Sequence, residues 1–175
     1  RWIETEPKGT KNMKITVKNV KVAEFASEET LCFEATVYID GVRAFTAHND
    51  GHGGCDMYRA VSPEGAKLLD KAEEWAKSQP EIESDVGGGR MFKYQPDLEH
   101  FVGAAVTDYR LEKAIKRKKK KGLMFAENDK IYTVKIPNNH PQAAIFKAKK
   151  PNAKFLNDMP LGQALEIYKN LVPVG

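Results

Sequence analysis

The stretch Leu31–His48, LCFEATVYIDGVRAFTAH, decides the fold. Leu31, Phe33, Ala35, Val37 and Ile39 alternate with Cys32, Glu34, Thr36 and Tyr38. Successive side chains of a strand point to opposite faces, so this period of two predicts a strand with one apolar face. Asp40-Gly41 follows, a pair suited to the two positive φ angles of a type I′ turn, and VRAFTAH returns as the partner strand. A two-residue loop there predicts that Ile39 pairs with Val42, Val37 with Ala44, Ala35 with Thr46 and Phe33 with His48. Paired residues share a face, which puts His48 on the core face at the sheet margin.

Outward from this hairpin, MKITVKNVKV (Met13 to Val22) reads as a preceding strand. Its apolar phase shifts between Val17 and Val20, which predicts a bulge near Asn19. ASEET (residues 26–30) is a turn. Ser62-Pro63-Glu64 opens a helix: a capping hydroxyl, a proline at the first helical position and an acid at the positive end of the dipole. That helix is expected to reach about Lys77, burying Leu68, Leu69, Ala72, Trp75 and Ala76. Residues 79–90, with Pro80, three acids and Gly87-Gly88-Gly89, are expected to form a mobile loop. A second helix is expected from Pro96 to Lys121, ended by Gly122. Its imperfect apolar face is read as Leu98, Phe101, Val102, Ala105, Tyr109 and Glu112 or Ile115. LMFA and KIYTVKI predict a second hairpin, HPQAAIFKAKK a short helix, AKFLN a strand and PLGQALEIYKNL a final helix. Strands and helices mix without βαβ alternation. The expected class is therefore α+β, an antiparallel sheet built from hairpins and packed against three to four helices. Residues 1–12 are expected to be a polar extension before a natural start at Met13, and residues 13–175 a single domain.

Composition narrows the partners. No run of about eighteen apolar residues is present, so no membrane span is expected. The two cysteines, Cys32 and Cys55, are sparse usage that suits a reducing cytoplasm. Residues 1–90 hold 12 Lys+Arg against 16 Asp+Glu, a balance of −4, and residues 91–175 hold 16 against 8, a balance of +8. A basic half attracts anions such as nucleic acid, nucleotides or acidic proteins.

Two segments carry candidate chemistry. The first follows the hairpin: Asn49, Asp50, Gly51, His52, Gly53 and Gly54, with Cys55, Asp56 and Arg59 close behind. Successive backbone N–H groups of a glycine-rich loop can nest a phosphate, with His52 and Arg59 supplying positive charge. A metal reading takes His48, Asp50 and His52 with Cys55 or Asp56 as ligands, although the spacing matches no recognised zinc arrangement. A nucleophile reading makes Cys55 the attacking group with His48 or His52 as its base; no cysteine-protease signature surrounds it. The second segment is the basic run Lys116, Arg117, Lys118, Lys119, Lys120 and Lys121. Lysines favour the negative end of a helix dipole, which accounts for two or three of them but not six. Six consecutive residues cover every face, so the last turn is expected to fray and serve as a nucleic-acid contact.

The NDGHGG segment behind ATVYIDGVRAFTAH resembles a family of small uncharacterised proteins of bacteriophages and mobile elements, most clearly over residues 13–60. The resemblance implies a cytoplasmic accessory protein that works by binding, with no catalytic residue to carry over. The expectation is a non-enzymatic binder of nucleic acid or a phosphorylated nucleotide, without a cofactor or bound metal. The alternatives are a metal-dependent hydrolase built on His48, Asp50 and His52, and an inhibitor that docks on a host protein.

Overall fold

The computed structural model describes residues 12–85 and 90–172. Most of the expected N-terminal extension and residues 86–89 of the expected loop lie outside the described residues. The protein is α+β, with antiparallel sheets and four helices among the described residues. The chain groups into two compact units, one running to Thr107 and the other from Asp108. Each is described by itself.

The first unit is built on a four-stranded antiparallel sheet in the order β1-β2-β3-β4. These strands are β1 (Ile15–Val22), β2 (Phe33–Ile39), β3 (Val42–Asn49) and β4 (Met57–Ala60). The hairpin turn is as expected: Asp40 has φ 48° and Gly41 φ 85°, and Ile39 pairs with Val42. The expected bulge is also present. Asn19 has φ 54°, and the register of β1 against β2 shifts between Lys18 and Lys21.

The register beyond the turn is corrected. Tyr38 pairs with Arg43 but Val37 pairs with Phe45, so Ala44 is an extra residue on β3. A β-bulge of this kind sets two residues against one and moves everything after it to the other face. Ala35 consequently pairs with Ala47, Phe33 with Asn49, and His48 with Glu34 on the face away from the core. Adjacent Ala44 and Phe45 are both fully buried, which a regular strand with one buried face does not permit. β4, unforeseen in the sequence, pairs with β3 from Phe45–Ala60 to His48–Met57.

Helix α1 (Pro63–Lys77) starts as expected, with the Ser62 hydroxyl accepting from Gly65 N at 3.0 Å. Ala72 and Ala76 are buried in the core, while Leu68, Leu69 and Trp75 are half-buried. Gly65 meets the bulge directly: a Cβ there would collide with the Ala44 carbonyl oxygen, which also accepts from Val61 N at 3.1 Å. Residues 79–90 contain a strand rather than only a loop. β5 (Ile82–Asp85) pairs with β6 (Met91–Tyr94) in a two-stranded ribbon, and Glu83 and Lys93 form an ion pair at 2.8 Å. Helix α2 (Leu98–Lys121) begins two residues later than expected, because Asp97 is the cap and accepts from His100 N at 3.0 Å. Leu98, Val102 and Val106 are its buried positions in this unit, so Val106 takes the place expected for Ala105.

The second unit holds a three-stranded sheet in the order β8-β7-β9, made of β7 (Leu123–Glu127), β8 (Lys130–Val134) and β9 (Lys154–Phe155). Asn128 and Asp129 both have positive φ, 50° and 56°, giving a two-residue turn without glycine. Met124 and Ala126 face a core made with Ile115 of α2 and with Ala164, Leu165 and Tyr168 of α4 (Leu161–Leu171). On the other face Phe125 stacks on Tyr132 at 5.4 Å and meets Phe155 and Phe146, the last from α3 (Pro141–Ala148).

The bulge contact makes a stability prediction. Gly65→Ala forces α1 away from β3 and should destabilise the first unit by about 2 kcal/mol, the cost of overpacking a tight contact. Gly103→Ala, where an added Cβ meets nothing within 4 Å, should instead stabilise by ~0.5–1 kcal/mol through helix propensity. Urea denaturation of both variants measures the difference.

Candidate functional site

The glycine-rich loop is organised by Asn49, which the bulge turns inward and which is only 5% exposed. Its Oδ1 accepts from the Thr30 hydroxyl at 2.7 Å and from Gly51 N at 2.9 Å. Its Nδ2 donates to the Gly54 carbonyl at 2.8 Å and to Asp56 Oδ1 at 3.0 Å. The Gly51 carbonyl in turn accepts from the backbone N–H groups of Glu28, Glu29 and Thr30. Gly51 has φ 90°, and a Cβ on it would run into the Ala26 carbonyl oxygen. Gly53, at φ 87°, directs its N–H to the Thr30 hydroxyl at 3.3 Å. The amides of Gly51 and Gly53, expected to cradle a phosphate, are thus spent inside the protein.

The other residues of that segment go separate ways. His52 is exposed beside Glu28, with Nδ1 3.2 Å from Oε2. Arg59 is exposed on β4, paired with Thr46, so it faces away from the core and not into the loop. His48, Cys55 and Asp50 do not converge with His52: among the described residues no three His, Cys, Asp or Glu side chains come together in a group able to hold a metal ion. Cys55 is exposed; it is Cys32 that lines an open groove of about 480 Å³ together with His48, Glu34, Thr46, Lys21 and Asp50. Without the bulge, no sequence pattern places Cys32 and His48 in one groove.

Asp56 lines a neighbouring cleft of about 290 Å³ with Glu99 and His100. Burial pushes its carboxyl above the ordinary carboxylate value, the nearby Glu99 charge adds to this, and the Asn49 amide opposes it. Tyr58 donates to Asp56 Oδ2 at 3.4 Å, and its phenol is held neutral by burial and by the Asp56 and Glu99 charges.

The basic run also differs from expectation. α2 continues as helix to Lys121. Asn157 closes its end, donating from Nδ2 to the Gly122 carbonyl at 3.1 Å and accepting from Met124 N at 2.7 Å. At 100° per residue, Lys118 and Lys119 lie on the same side as buried Ile115. Lys118 donates to the Tyr168 hydroxyl at 2.8 Å and lies over its ring, while Lys119 reaches the Met159 carbonyl at 3.4 Å. Desolvation lowers the Lys119 ammonium pKa. Lys116 pairs with Glu112 one turn back, at 3.4 Å. Arg117, Lys120 and Lys121 remain exposed on the opposite side, joined by Lys113, which the sequence reading did not single out. Spacing of i, i+4 and i+7 from Lys113 was the available signal.

Among the described residues no helix is long and apolar enough to cross a membrane. No protein-family model, curated protein or solved structure matches the chain.

Two predictions follow from this geometry. Asn49→Ala strands buried polar groups and should cost about 3 kcal/mol, whereas His48→Ala should stay within about 1 kcal/mol; thermal denaturation of the pair tests which residue faces inward. Because the folded state raises the Asp56 pKa, it holds that proton more tightly than the unfolded chain does. The Asp56 contribution therefore favours folding at low pH and is lost as pH rises from the ordinary carboxylate range through the raised value. Asp56→Asn should gain stability relative to the parent as pH rises above the ordinary carboxylate range, with no such relative change at lower pH. Parallel curves for the two proteins across that rise would contradict the shift.

Proposed function

We propose that the protein binds a polyanion, nucleic acid in the first instance, through the solvent face of α2 in its second unit. The observation that carries the reading is where unpaired charge is left. Residues 108–175 hold 15 Lys+Arg against 6 Asp+Glu, a balance of +9, while residues 1–107 hold 13 against 18, a balance of −5. Four of the six acids of the second unit are taken up in ion pairs: Asp108 with Lys169, Glu112 with Lys116, Glu127 with Lys150 and Asp158 with Lys147. Lys113, Arg117, Lys120 and Lys121 are exposed and have no acidic partner among the described residues.

These four form a ridge. A rise of ~1.5 Å per residue spreads them over roughly 12 Å of helix, several phosphates of a nucleic-acid strand. A continuous helix holds the backbone of these positions in place, so only their side chains are left to be ordered upon binding. Lys118 and Lys119, also expected as contacts, support the ridge from beneath by fixing α2 to Tyr168 and Met159. Phosphate neutralisation carries no sequence information by itself, so this surface supplies affinity and not selectivity. Such a role suits the mobile-element accessory protein that the NDGHGG segment resembles.

Changing Lys113, Arg117, Lys120 and Lys121 together to Gln should leave the melting temperature nearly unchanged, since exposed charges contribute little to stability. It should weaken binding to single-stranded DNA and flatten the slope of log K against log salt by about three. Lys118→Met with Lys119→Met should instead shift the melting temperature. If the parent protein binds neither DNA nor RNA even at low salt, the reading fails.

A further inference from the structure

At the far end of the second unit's sheet, the β7–β8 turn, the segment before β9 and the last turn of α4 enclose a concavity of about 280 Å³. Its rim is polar: Asn128 and Asp129 from the turn, Asn152 and Lys154 from the approach to β9, and Asn170 from α4. Its floor is apolar, formed by Ala126, Ile167 and Leu171. The three rim carboxamides have no hydrogen-bond partner among the described residues, and Lys154 is exposed with no acidic partner among them. Glu127, which also lines the concavity, is already neutralised by Lys150 at 2.5 Å. Three free carboxamides around an apolar floor bring paired donors and acceptors to one concavity, since each amide offers two N–H donors and a carbonyl acceptor.

We infer that this concavity is a nucleobase pocket that prefers adenine over thymine or uracil. An apolar floor suits one face of a planar ring. The carboxamides suit its edge: adenine presents an exocyclic amine donor beside the N7 acceptor, the pairing that an asparagine side chain meets with both of its groups. Asp129 is acceptor-only and adds a second place for the amine, while Lys154 on the same rim gives the attached phosphate a cation. Thymine and uracil offer a carbonyl where adenine has its amine, which leaves Asp129 facing an acceptor. The inference rests on the polyanion reading for the class of ligand, but it concerns different residues: the α2 ridge would provide affinity and this pocket base preference.

The test uses the full chain with oligodeoxyadenylate and oligothymidylate of about twelve nucleotides, a length within the usual single-strand site size, at matched salt. Fluorescence anisotropy gives the affinities. Chemical-shift mapping with adenosine monophosphate reports on the asparagine side-chain amides. Asn152→Ala with Asn170→Ala removes two rim amides at exposed positions, and a thermal melt confirms that the variant folds. The expected result is roughly tenfold tighter binding of the adenine oligomer by the parent, lost in the variant with thymine binding unchanged. Adenosine monophosphate should perturb the Asn152 and Asn170 amides. If both oligomers bind equally to the parent, or the variant keeps the preference, the pocket is wrong and the ridge stands. If adenosine monophosphate moves those amides while no oligomer binds, the pocket stands and the polyanion reading falls. If neither probe binds, both are wrong.

Discussion

One extra residue governs the first unit. Ala44 has no partner on β2, and the backbone bends where it is inserted. That bend turns the Ala44 carbonyl toward Val61 and lets α1 approach so closely that only glycine fits at position 65. It also reverses the faces of everything that follows on β3. His48 is carried to the outer side and Asn49 to the inner side, where its carboxamide gathers Thr30, Gly51, Gly54 and Asp56 around itself. The glycine-rich loop takes its shape from this buried amide. Its glycines serve close internal approach at Gly51 and positive φ at Gly51 and Gly53.

The second unit depends on a different economy, that of lysine. A run of six basic residues looks uniform in sequence, yet the helix sorts it by angle. Ile115 faces the core, so the residues three and four positions later must face it as well. Long aliphatic stems make this tolerable: Lys118 and Lys119 cover apolar surface and send their ammonium groups to Tyr168 and to the Met159 carbonyl. The remaining cations are pushed to the solvent side and concentrated there. Asn157 secures the end of the helix at Gly122, whose missing side chain allows the Val134 carbonyl to come close.

Much of this was legible in the sequence wherever one strong local rule acted alone. Asp40-Gly41, the phase shift at Asn19, the Ser62-Pro63 helix start and the two hairpins all follow from such rules. The bulge at Ala44 was missed because a turn pair implies a regular register, although the adjacent apolar pair Ala44-Phe45 breaks the alternation and signals it. β4 and β5 are four residues each, too short to show a period, and β5 is rich in acids. The separate fates of the six basic residues were readable from the spacing to Ile115. The groove that joins Cys32 to His48, and the pocket of asparagines from three separate segments, come from tertiary placement that no local pattern encodes.

The opposite balances of the two units, −5 and +9, have a consequence that the modest overall charge of +4 conceals. Each copy thus carries one acidic unit and one basic unit, and the acidic unit of one copy complements the basic unit of another. In dilute buffer, where the screening length stretches to about 30 Å, that attraction reaches between copies despite a net charge of one sign; near 0.15 M salt the range shrinks to about 8 Å and the attraction fades. A nucleic acid on the basic unit would draw on the same charges, so ligand binding and self-association would compete for them.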